Sequence, residues 1–326
     1  MSKSKKHETD EGRRRLILGL FAGGAVLVVG PAAYSIYSSL SQSTQSAVLT
    51  PTKGKPYETI TPQTGVIRFE DVKAGKYSPE AYISYLKQTS PAVKEAIQRG
   101  GLVDILYNPK DSDLAALLER LFMRGGYSGE ELRQVTQASL IDFKQRKDPM
   151  YTLGLTYSLY GEGIPVPIIV FPYAFKHPFL NKDEDFRSVV EYHELLHVQF
   201  NYSGINLNGA KISSKEYESG DINPEFSLDL EEALAYHSEI SHVLRTVDVV
   251  PGNFSPGYVG FITENYSTKY SGVLNYAPKT QFEGRVKELA LVTLKTIMPR
   301  VNGNSIIVNY FIDNRAGNYI INKMQK

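Results

Sequence analysis

Val189-Val190-Glu191-Tyr192-His193-Glu194-Leu195-Leu196-His197-Val198-Gln199-Phe200 is the stretch on which the organisation of this chain turns. It contains the pattern H-E-x-x-H. On an α-helix, residues four apart are separated by about 40° around the axis, so the imidazoles of His193 and His197 stand one above the other on one face. Two neutral imidazole nitrogens so placed suit one Zn²⁺ at about 2.0–2.1 Å. Glu194, about 100° round the helix from His193, is not a further ligand on that face. It is placed to reach a water on the metal and take its proton. Val189, Val190, Leu195, Leu196, Val198 and Phe200 make the segment apolar on several sides, which predicts a buried helix from about Lys182 to Asn201. Asn181-x-x-Glu184 is its expected capping box.

The rest of the composition narrows the chemistry. At 326 residues with 42% apolar and 22% charged residues, the chain has enough apolar surface for a sizeable core. A formal net charge of +1 gives no electrostatic footprint for nucleic acid. There is no Cys, which excludes disulfides, thiolate catalysis and Cys-held zinc. Any metal must be held by His and carboxylates.

Working outward toward the N-terminus, residues 1–15 form a basic tail, with Arg13, Arg14 and Arg15 at its end. Leu16 to Ala33 continue without a charge, and the uncharged run extends past Tyr34 and Tyr37. We read residues 16–38 as a transmembrane anchor or uncleaved signal, with the Arg cluster on the cytoplasmic side and everything beyond about residue 40 outside. A cleaved signal peptide is the alternative; the absence of a clear A-x-A site favours retention. Arg13-Arg14-Arg15-Leu16-Ile17 also resembles a twin-arginine export signal, and simple positive-inside charge explains it equally well. Residues 39–77 read as a linker, with a short strand at Val66–Phe69, and residues 78–326 as the folded domain.

Within that domain, Ser78-Pro79 and Ser90-Pro91 each announce a helix start. Residues 102–107 read as extended, and 111–124 and 128–147 as helices. Tyr151 to Tyr160 and Ile164 to Phe171 predict a β-hairpin turning at Gly161-Glu162-Gly163. Pro165 and Pro167 cannot donate ladder hydrogen bonds, which predicts that the second strand is an edge, open to pairing with an extended peptide. Residues 202–226 and 250–280 read as loops, 281–297 as a helix and 305–312 as a strand. Between the two loops, residues 228–244 have helical period, capped by Ser227 or Asp229. In a first turn, Glu231 and Glu232 would merely complement the helix dipole; as adjacent carboxylates after two ligand His, they are also what a third metal ligand looks like.

H-E-x-x-H on an apolar helix, then Glu232-Ala233-Leu234-Ala235 on a second, resembles the zincin metallopeptidases and, within them, the gluzincins. The metzincin branch is excluded because Phe200 and Ser203 stand where Gly and His are required. The resemblance covers about residues 150–245. It implies a mostly helical α+β domain with a small sheet before the H-E-x-x-H helix. It implies Zn²⁺ held by His193, His197 and Glu232, with Glu231 as the alternative third ligand, and Glu194 as general base. A peptide or protein is the implied substrate. Similar enzymes use a Tyr or His to stabilise the oxyanion; His237 is assigned that role here, with Tyr236, Tyr258 and Tyr266 as further candidates. Glu239, two turns beyond Glu232, is placed to hold the second nitrogen of a ligand His.

Two other classes compete. Glu194-x-x-His197 and Glu239-x-x-His242 are both E-x-x-H, the element from which ferritin-like di-iron sites are built. An inactive zincin-like binding module is the other, against which stands the intact Glu194.

Overall fold

The described chain opens on helices α1 (Phe69–Lys73), α2 (Pro79–Thr89) and α3 (Pro91–Gln98). The two Ser-Pro signals do what the sequence predicts: Ser78 Oγ accepts from Ala81 N and Ser90 Oγ from Val93 N, each at 3.2 Å. The strand expected at Val66–Phe69 is not formed. Phe69 instead starts a helix, its backbone N–H bonded to Asp183 Oδ1 at 2.7 Å. Ile67, Phe69, Val72 and Tyr77 are all buried, so these residues belong to the core rather than to a tether. The computed structural model describes residues 65–124, 126–145, 152–157, 168–213, 216–217, 220, 222–247 and 252–297. The apolar segment at 16–38, the strand expected at 305–312 and the turn at 161–163 lie outside them. Among the described residues no helix is long and apolar enough to cross a membrane.

A small sheet then divides the interior. Strands β1 (Asp104–Tyr107), β2 (Leu155–Tyr157) and β3 (Ile168–Phe171) lie in the order β1-β3-β2, with β1 parallel and β2 antiparallel to β3. The pairing of β2 with β3 realises the expected hairpin strands. The edge assignment is corrected: β3 is central, because β1 pairs along its other side. Among the described residues the edge strands are β1 and β2. Alternation of side chains sends Leu155, Tyr157, Ile168 and Val170 to one face, where they join Leu114, Leu118, Phe122, Val135 and Phe143 of helices α4 (Asp111–Arg124) and α5 (Gly129–Gln145). Ile105, Ile169 and Phe171 point to the opposite face and join the larger core.

That face carries the motif helix. It runs as α6 (Asp183–Ser188), a π turn (Val189–Glu194) and α7 (Leu195–Ser203). Phe186 sits 5.0 Å from Phe69, 4.8 Å from Phe175 and 5.1 Å from Phe171, ring centre to ring centre. Each such aromatic pair adds about 0.5–1.5 kcal/mol beyond area burial, so α6 is fixed to the sheet before the motif begins.

Two expected loops are structured instead. After α7, strands β4 (Ile205–Leu207) and β5 (Ala210–Ile212) form a hairpin. Its turn is Asn208-Gly209, both at positive φ (49° and 80°), the conformations a two-residue turn demands. Beyond helix α8 (Pro224–Val247), residues Pro256–Asn275 form helix α9. Its Gly, Ser and Tyr content gives poor intrinsic helix propensity. Tertiary burial of Tyr258, Val259, Ile262 and Tyr266 against α8 supplies what propensity does not. Helix α10 (Gln281–Leu294) comes next, where its sequence predicts a helix, and the structure starts it with a Thr280–Glu283 capping box.

Candidate metal centre

The motif helix starts at Asp183 rather than through the expected Asn181–Glu184 box. Asp185 Oδ2 accepts from Asn181 N at 3.1 Å and Lys182 N at 2.9 Å, and its carboxylate also takes the N–H and hydroxyl of Ser255 at 2.9 and 2.6 Å. One buried acid thus caps the helix and ties it to the start of α9. Glu184 instead pairs with Arg187 and with His242 Nε2, at 3.5 and 3.6 Å. Within the motif the helix is not a regular α-helix: Leu195 N bonds back to Val190 O, a π step ending at His193-Glu194. Such a step inserts one residue and rotates the downstream residues by about 100° around the axis, and it recurs at functional sites.

The opposing wall is α8. It begins a turn earlier than its sequence pattern indicates, capped by Asn223, whose Oδ1 accepts from Glu225 N at 2.9 Å. Ser227 and Asp229 are therefore not caps; Asp229 Oδ1 pairs with Lys269 Nζ at 3.0 Å. Glu231 and Glu232 then lie beyond the first turn, where the helix dipole no longer explains them. Both are buried, at 3% and 1% exposure, as is Glu239 at 1%.

These carboxylates surround the two imidazoles. His193 Nε2 is 3.5 Å from Glu232 Oε2, and His197 Nε2 is 3.6 Å from Glu232 Oε1. The ligating atoms of His193, His197 and Glu232 all lie within 4.8 Å of one another. Ligands at about 2.0–2.1 Å in tetrahedral array stand about 3.4 Å apart, so these separations fit a shared ion. Glu232 Oε1 is buried with no hydrogen-bond donor among the described residues, and a cation contact satisfies such an oxygen. The choice between adjacent acids comes from geometry. Glu232 faces both Nε2 atoms, whereas Glu231 Oε2 lies 3.6 Å from His197 Nδ1, on the outer side of the ring. Glu239 Oε2 does the same for His193 Nδ1 at 3.0 Å, and its other oxygen accepts from the Tyr258 hydroxyl. Each imidazole therefore has a carboxylate behind it, but only Glu239 is within hydrogen-bond distance, so it is His193 whose tautomer is fixed and whose Nε2 is aimed inward. Removing that support by Glu239→Gln is expected to weaken metal affinity by about 10- to 100-fold, with Tyr258→Phe in the same direction, measured by competition with a zinc chelator.

Burial by itself lowers the pKa of both imidazoles. Glu239 and Glu232 more than reverse this for His193, which lies well above the ordinary value, and Glu231 and Glu232 raise His197. Burial raises Glu232, but His193, His197 and Lys269 outweigh it and hold the carboxyl down at about 2. Protonating both imidazoles adds two positive charges; a divalent cation on neutral imidazoles adds the same two. Protons and metal thus compete for this site. In the metal-free chain the raised imidazoles contribute stability that is complete below about pH 6.5 and lost as pH rises through their folded values. Chelator-stripped protein is therefore expected to lose stability in denaturant titrations from pH 6.5 upward, and zinc to restore it. Apparent zinc affinity should climb by up to about 100-fold per pH unit while two protons are displaced.

Glu194 lies beside this group at 3% exposure. Burial raises its pKa, against the pull of both imidazoles and of Thr156. Thr156 Oγ1 donates to Glu194 Oε2 at 2.5 Å, a contact with no sequence signal because 38 residues separate the two.

The remaining candidates separate clearly. His237 is not brought to the site: its Nε2 meets Thr296 Oγ1 at 2.9 Å, and burial holds it down at about 4. Tyr266 donates to Leu294 O at 2.6 Å, also away from the motif. Tyr258 is committed to Glu239. Tyr236 alone of the four packs its ring against one of the two motif imidazoles, 4.6 Å from that of His193. Burial, with Glu232, Glu239 and Glu194 nearby, raises its pKa and keeps the hydroxyl a donor. His242 stacks on Tyr192 at 3.9 Å and faces Glu184, so of the second E-x-x-H segment only Glu239 reaches the centre, behind His193, and its His does not. No protein-family model, curated protein or solved structure matches this chain.

Proposed function

We propose that the chain is a zinc-dependent peptidase of the zincin type, held to a membrane by residues 16–38 with its folded domain outside the cytoplasm. The observation that carries this reading is the convergence of His193 Nε2, His197 Nε2 and Glu232 on one point with Glu194 adjacent. Two imidazoles, one carboxylate and no thiolate form a donor set suited to catalytic zinc, which leaves a coordination position open. Zinc bound there supplies a polarised water and a Lewis-acid contact for a carbonyl oxygen. Glu194, its Oε2 engaged by Thr156, is the carboxylate that would take a proton from water and pass it to the leaving amine. Tyr236 replaces His237 as the donor to the developing oxyanion. The edge of β2 away from β3, unpaired among the described residues, is the strand edge on which an extended peptide would pair.

A panel of fluorogenic peptides tests this on the full chain. Cleavage abolished by chelation and restored by zinc is expected. Cleavage indifferent to chelation contradicts it.

A further inference from the structure

Strand β2 and the residue before it place two positions on the face that meets the motif helix. Leu155 and Tyr157 point into the core shared with α4 and α5, so alternation turns Gly154 and Thr156 the other way. Both meet the same carboxylate. Thr156 gives its hydroxyl proton to Glu194 Oε2 at 2.5 Å; the backbone carbonyl of Glu194, at 3.5 Å, is the poorer acceptor. A Cβ on Gly154 would lie 2.4 Å from Glu194 Oε1 and 2.8 Å from Phe171 Cε1. Neither neighbour has room to yield, since Phe171 is fully buried and Glu194 nearly so. One oxygen is pinned and the other occupies space that only glycine leaves.

The geometry points to Thr156 as the positioning residue for Glu194, with Gly154 as the space in which its other oxygen, Oε1, sits. This rests on the reading of Glu194 as the base. The hydroxyl is well suited to the task. Thr is β-branched and in a strand, so its χ1 is restricted and its oxygen nearly fixed. It has one proton to give, and it gives it to Oε2, while Oε1 lies against Gly154. The motif helix alone does not orient a carboxylate with rotatable bonds; the sheet supplies the missing restraint. A misplacement of about 1 Å at a reacting group costs on the order of 100-fold in rate.

The test compares full-length zinc-loaded wild type with Thr156→Val, Thr156→Ser and Gly154→Ala, reading kcat, KM, zinc per chain and melting temperature. Thr156→Val should lower kcat by about 30- to 100-fold with KM within about threefold and zinc retained. Thr156→Ser should recover most of that loss, which a merely structural role for the side chain does not predict. Gly154→Ala should lower kcat at least as far. Melting shifts of Thr156→Val and Glu194→Ala, each of which removes the Thr156–Glu194 hydrogen bond, should be non-additive in the double variant, a readout independent of turnover. An active wild type with an unaffected Thr156→Val overturns the positioning role alone, as do additive melting shifts. A wild type that cleaves no peptide overturns the peptidase reading and the positioning role with it.

Discussion

Glu194→Gln is expected to keep its zinc and its fold while losing hydrolysis by about three orders of magnitude or more. General acid–base catalysis contributes on the order of 10²–10⁴-fold, and this residue is asked to act twice, at the water and at the leaving amine. The substitution is nearly isosteric, and Gln retains an acceptor for the Thr156 hydroxyl. It removes a buried charge that burial already disfavours, so stability should be unchanged or slightly improved. Activity falling while zinc content and melting temperature hold is the signature to look for. Activity unchanged in Glu194→Gln would falsify the mechanism, whatever the metal content.

Glu232→Ala is expected to act on the other half of the site, lowering zinc affinity by at least about 100-fold. Loss of a supporting residue behind a ligand costs about 10- to 100-fold, and Glu232 faces both Nε2 atoms itself. The metal-free variant should also be less stable at neutral pH, because His193 and His197 lose a carboxylate that raises their pKa. Glu231→Ala separates the neighbouring acids: it removes the group behind His197 Nδ1 and should weaken binding less. Equal losses for the two variants would mean that the third ligand is not uniquely Glu232. Equilibrium dialysis against zinc buffers measures both.

The centre of this site is legible in the sequence because its spacing is local. His193, Glu194 and His197 lie within one helical stretch, and the apolar residues around them mark that stretch as buried. Glu232 is partly legible: its pattern nominates it beside Glu231, but only packing of α8 on the motif helix decides which acid faces both imidazoles. Thr156 and Tyr258 are not legible, since their contacts with Glu194 and Glu239 cross between elements. His237 misleads because proximity along a helix is not proximity around it; five residues beyond Glu232 it faces Thr296. The hairpin at Asn208-Gly209 has a readable turn signal inside a stretch whose polar composition resembles a loop. Helix α9 is the reverse case, with weak propensity overridden by burial, though Ser255-Pro256 marks its start. The central place of β3 also lies beyond the local pattern, because β1, at Asp104–Tyr107, pairs with it from far upstream in the chain.

The central claim is that His193, His197 and Glu232 together hold one zinc ion. Metal analysis of the purified full-length chain, coupled to zinc-edge X-ray absorption, tests it most directly. The account predicts one zinc per chain, bound by two imidazoles and a carboxylate and lost in His193→Ala. A chain with two irons, or one that binds no divalent metal at neutral pH, contradicts it.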